Sequence, residues 1–120
     1  MAGLERRSFD TPDETRNPDK TRVDVVRIGG NSAARLTAEP GWKWSECIKP
    51  VVGTDSCQVR HVGMIHSGRM HIAHDDGTEG DIGPGDAYVI EPGHDAWVVG
   101  DEPVVAFEFE TQAAEDYAKS

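Results

Sequence analysis

The chain has 120 residues and a formal net charge of −10, with 12 Lys and Arg against 22 Asp and Glu. That length suits one domain with a modest core. The charge argues against nucleic acid, because phosphate binding needs clustered cations, and Lys20, Arg22, Arg27 and Arg35 are scattered among acids. No apolar run approaches the roughly 20 residues of a membrane span, and residues 1–7 lack the apolar core of a secretory leader. Two cysteines, Cys47 and Cys57, are too few to staple a fold of this size and suit a reducing compartment. A soluble cytoplasmic protein is expected.

Turn residues recur every six to twelve positions, and the intervening segments are short and rich in β-branched or aromatic residues. This pattern signals an all-β sandwich or barrel. Residues 1–20, polar and punctuated by Pro12 and Pro18, read as a flexible or edge-covering arm, and residues 21–110 as the barrel. Strands are expected over 22–28, 32–38 and 42–48, followed by a loop over 51–56. Further strands are expected over 61–66, 69–74, 79–82, 87–90, 95–99 and 104–110. Between two of them, Asp75-Asp76-Gly77-Thr78 is the strongest hairpin signal, since Asp-Gly tolerates the positive φ of a tight primed turn. Residues 111–120 form a tail with room for a short helix.

Two stretches carry chemistry. His61 is followed at the seventh position by Gly68, and Gly85-Asp86 precedes Pro92-Gly93-His94. Together they resemble the two motifs of the cupins, G-x5-H-x-H-x3-4-E-x6-G and G-x5-P-x-G-x2-H. His61 stands in place of the first motif's Glu, Glu91 in place of the second motif's Pro, and the turn before His94 is two residues shorter. The resemblance covers roughly residues 39–110 and implies a single jelly-roll β-barrel whose interior holds a divalent transition metal (Zn, Fe, Ni or Mn) between three histidines and a glutamate. In many members the H-x-H pair lies six and eight residues after a Pro-Gly turn. Counted from Pro40-Gly41, that pair falls on Cys47 and Lys49. A thiolate can ligate, whereas a charged lysine cannot.

Alternation on a strand puts Cys47 and Lys49 on one face and Glu46 on the other. The expected ligands are therefore Cys47, His61 and His94, with Glu46 replacing Cys47 if the register shifts by one, and Lys49 serves as a donor or anion hold for a small-molecule substrate. His66 faces away from His61, His71 and His74 read as surface residues, Cys57 as a structural or free thiol, and Glu108 and Glu110 as a solvated face of the last strand. Two functions fit: a small metal-dependent enzyme, or a binding or sensory module with a degenerate metal site. Jelly-roll edge strands need covering. The resemblance implies a homodimer, for which residues 22–26 have a suitable alternation.

Overall fold

The computed structural model describes residues 3–119. Among them the chain forms strands β1 (Glu14–Arg16), β2 (Thr21–Ile28) and β3 (Asn31–Ala38), then helices α1 (Trp44–Cys47) and α2 (Lys49–Val52). Strands β4 (His61–Ser67), β5 (Met70–His74), β6 (Glu79–Ile82), β7 (Ala87–Ile90), β8 (His94–Val98) and β9 (Val104–Glu108) follow, and helix α3 (Thr111–Asp116) ends the chain. A six-stranded sheet ordered β1-β2-β3-β9-β4-β7 faces a three-stranded sheet ordered β6-β5-β8. This is a jelly roll whose two sheets are not joined by strand pairing into a closed barrel.

A strand with one face on a core buries alternate residues, and β8 and β9 do so: His94, Ala96 and Val98 of β8 point inward, as do Val104, Ala106 and Glu108 of β9. β2 departs from that pattern because the N-terminal segment lies over its outer face. Asp24 is 0% exposed there and accepts hydrogen bonds from Thr15, Arg22 and Arg35. Because β1 pairs along the remaining edge of β2, residues 22–26 are an interior strand and offer no free edge to a second chain.

In place of the strand expected over 42–48, Lys43 makes an isolated bridge to Trp97 and residues 44–48 coil into α1 and its cap. Their buried side chains, Trp44, Cys47 and Ile48, are spaced i, i+3, i+4, which is a helical face. Pro50 then sits in the first turn of α2, where its missing N–H is harmless. Gly53 closes α2 at φ 79°, the left-handed cap for which glycine is suited.

The tail folds back onto the first sheet. The Glu110 side chain caps α3 by accepting from Ala113 N at 2.8 Å. Arg16 donates to the carbonyls of Ala114, Glu115 and Tyr117 at 3.1, 2.7 and 2.8 Å, which satisfies acceptors that a helix end leaves open. Glu115 accepts from Arg27 and from Ser32. These bonds, that from Arg27 foremost, hold its carboxyl at about 2, below the ordinary 4.5. A depressed carboxyl contributes stability above its unfolded value and loses it as pH falls toward the folded one. Docking of α3 should therefore weaken as pH falls from 4.5 towards about 2. The amide signals of Ala113 and Ala114 would report it in an NMR titration. An unchanged titration in Glu115→Gln would show that another group is responsible.

Candidate metal centre

His61 opens β4 and points inward with Ile65, while His94 opens β8 and points inward with Ala96. Cys57 lies in the loop before β4 but is locked opposite His94 by backbone pairing. Its N–H donates to His94 O at 2.8 Å, and Gly93 N donates to Cys57 O at 2.7 Å. Gly93 adopts φ 99°, which lets the chain turn into β8. The outcome is a cluster in which a Cys57 sulfur and one nitrogen from each histidine all lie within 4.8 Å of one another. Cys57 Sγ is 3.6 Å from His61 Nε2, and the two imidazoles meet edge-on at 5.2 Å. All three residues are buried, at 2%, 5% and 3% exposure for Cys57, His61 and His94.

The rings are held from behind. His94 Nδ1 lies 2.9 Å from Glu91 O, and since a carbonyl only accepts, Nδ1 carries the proton and Nε2 keeps its lone pair. His61 Nδ1 faces Glu108 Oε1 at 2.6 Å. The other carboxylate oxygen of Glu108 accepts from Tyr88 Oη at 2.6 Å. With each Nδ1 engaged, the Nε2 side of each ring is left to the cluster, where His61 Nε2 meets Cys57 Sγ, and this outer support is what metal-binding histidines use to fix ring and tautomer. Burial pushes the Cys57 thiol up, but the two imidazoles beside it prevail and bring it down to about 6. Burial likewise disfavours a charged His61, and the carboxylate of Glu108 together with the Cys57 sulfur prevails in raising it. Burial, reinforced by Glu108, raises Tyr88, which stays a neutral donor.

Of the four expected ligands the structure brings His61 and His94 together and leaves Cys47 and Glu46 elsewhere. Once residues 44–47 coil, Cys47 Sγ faces Asp19 Oδ2 at 3.8 Å, and Glu46 is exposed. Lys49 begins α2 at the surface, with Nζ 3.9 Å from Asp55 Oδ1, and does not reach the cluster as a donor or anion hold. Cys57, read as a structural or free thiol, is a free thiol and the third member. Its signal was present in the motif: counting back from His61, an x3 spacing lands on Cys57, and the first histidine position falls on exposed Asp55. Glu108, expected in solvent, is 6% exposed because β9 buries Val104, Ala106 and Glu108 in step. Glu110 is the helix cap. His71 lies outside, between Glu79 and Asp81 and stacked on Trp97, and His74 pairs with Asp76.

A cavity of about 20 Å³ adjoins the cluster, lined among others by His61, His94, Glu108, Tyr88, Trp44 and Tyr117. It has room for about one water.

No protein-family model and no curated protein matches the chain. Solved structures do match it. An uncharacterized conserved protein with a double-stranded β-helix domain from Klebsiella pneumoniae is 19% identical over 88% of this chain and 83% of its own, with a TM-score of 0.59. KdgF from Halomonas sp. is 16% identical over 82% and 87%, with a TM-score of 0.57. A variant of Bacillus subtilis oxalate decarboxylase is 12% identical over 92% of this chain and 31% of its own, with a TM-score of 0.63. At these identities the likeness is one of fold. The fold is a double-stranded β-helix, and its interior holds a Cys/His/His cluster whose donor atoms could hold a metal ion.

Proposed function

We propose that the protein binds one divalent transition ion through Cys57 Sγ, His61 Nε2 and His94 Nε2 and acts on a small molecule at that ion. The observation that supports this most is the pairing of three convergent donors with two outward-facing Nδ1 atoms, each already engaged. One thiolate and two imidazoles suit zinc or iron, as well as nickel or manganese less strongly, and three protein ligands leave a position open, as catalytic sites require. A bound ion supplies Lewis-acid or oxygen-activating chemistry. Glu108 holds the ring of His61, Tyr88 holds Glu108, the Glu91 carbonyl holds His94, and the apolar walls exclude water. Both cysteines are free thiols, which suits a reducing cytoplasm, and no helix among the described residues is long and apolar enough to cross a membrane. The protein is also proposed to be a homodimer, through an edge other than β2, which light scattering would decide.

Elemental analysis of protein purified without chelators tests the reading. About one equivalent of a transition ion is expected, and His94→Ala should lose it. Cys57 must bind as a thiolate and the histidines as neutral rings, so affinity should fall as pH drops. Full stoichiometry in His94→Ala would refute the site and favour a metal-free binding or sensory module.

A further inference from the structure

Tyr117, the residue after α3, is 6% exposed, and its ring meets that of His61 edge-on at 5.1 Å. The same ring lines the interior cavity beside the cluster and a separate outer pocket of about 170 Å³ walled by Trp44, Ile48, Val52, Cys57 and Ala118. Tyr117, with Trp44, therefore partitions that pocket from the interior, and Cys57 faces both the pocket and the cluster. What remains inside, about 20 Å³, admits a water and no organic molecule. A substrate larger than water that enters from this outer pocket needs the space Tyr117 fills.

The attachment of Tyr117 is suited to release. It hangs on a six-residue helix, too short to persist without its tertiary contacts. Those contacts include peripheral polar bonds, from Arg16 to the carbonyls of Ala114, Glu115 and Tyr117, and from Arg27 and Ser32 to Glu115. The next residue, Ala118, is held at φ 59°, a left-handed conformation unfavourable for a residue with a Cβ.

The walls state what would replace it. Leu36, Trp44, Ile65 and Ile90 are apolar, and among the described residues no Lys or Arg lines the interior. Beyond the proposed ion and His61, an anionic substrate would find no cationic side chain there, and the one carboxylate, Glu108, already accepts from His61 and Tyr88.

We propose that Tyr117 is a resident plug in the ligand space of the metal centre, and that the ligand which displaces it is a neutral, planar, apolar molecule of the size of a phenol. The metal reading supplies the reaction at this space, while the plug itself rests on the packing alone.

The test uses the full chain, cobalt-loaded and metal-free, with 4-methylphenol as probe and benzoate as anionic control. A protein that must first release its plug binds more weakly by the fraction of time the plug is out. Tyr117→Ala should therefore bind 4-methylphenol about ten-fold or more tightly than the unaltered chain, while Tyr117→Phe, which keeps the ring, should match it. In the unaltered chain, saturating probe should speed hydrogen exchange at residues 113–118 and leave β4 and β9 unchanged. If Tyr117→Ala does not fold, Arg16→Gln, which loosens the attachment from outside, should tighten binding in the same direction. Exchange at 113–118 that ignores bound probe, equal affinity in the loosened variants, or preference for benzoate would overturn the proposal. Probe binding with release in metal-free protein that takes up no cobalt would uphold the plug and sink the metal reading. Cobalt uptake with no release would do the reverse.

Discussion

Cys57→Ser should lower the affinity for zinc or cobalt by more than about 100-fold, while Cys47→Ser leaves it nearly unchanged. Both thiols are buried, so exposure does not separate them. Cys57 shares a 4.8 Å cluster with both imidazoles, whereas Cys47 sits on α1 with Asp19 as its neighbour. The imidazoles beside Cys57 hold its thiol at about 6, so it is largely thiolate at neutral pH and needs little free energy to deprotonate before binding. A supporting residue such as Glu108 acts one step removed, and its replacement by Gln should cost roughly 10- to 100-fold. Competition against a chromophoric chelator gives all three affinities, and the sulfur-to-cobalt charge-transfer band should vanish only in Cys57→Ser. An equal loss in Cys47→Ser would mean that α1 unfolds to bring its own thiol to the histidines.

The parts of this fold that were legible in the sequence are those fixed by local chemistry. The Asp76-Gly77 turn sets the hairpin of β5 and β6, although only Gly77, at φ 94°, takes a positive φ and the turn is not of the primed type expected. The segments at 79–82 and 87–90 emerge as β6 and β7 with the expected bounds. His61 and His94 were legible because motif spacing marks both, although His94 lies before the strand expected over 95–99 and instead opens β8. Cys57 was missed because two anchors compete in the first motif. Counting forward from Pro40-Gly41 gives Cys47 and counting back from His61 gives Cys57, and only the coiling of residues 44–47 decides between them. Glu108 was missed for a different reason. A carboxylate near a chain end is usually solvated, and nothing nearby in sequence shows that His61 and Tyr88 will wait for it across the sheet. The seat of Tyr117 against His61 is likewise set by packing between distant segments, which no local pattern encodes.

The backbone beneath the site offers a large effect on stability. Gly63 lies in β4 directly opposite Glu108 of β9, and a Cβ there would come within 2.2 Å of Phe107 O and 3.1 Å of Glu108 Cα. Those atoms are backbone, so no side chain can swing aside, and β4 and β9 must move apart. Gly63→Ala should destabilise the fold by about 3 kcal/mol, at the upper end of what overpacking costs. Gly77→Ala is the control. Unlike Gly63 it has a positive φ, but no atom lies within 4 Å of the added carbon, so only the conformational term of about 1 kcal/mol remains. The two also differ at the metal centre. Separating β4 from β9 draws Glu108 away from His61 Nδ1 and frees the ring, so Gly63→Ala should bind metal more weakly even where it is fully folded, and Gly77→Ala should bind as before. Urea midpoints with unchanged slopes give the stabilities, and chelator competition on the folded variants gives the affinities. Were Gly63→Ala as stable as Gly77→Ala, β4 and β9 would not lie as close as the site requires.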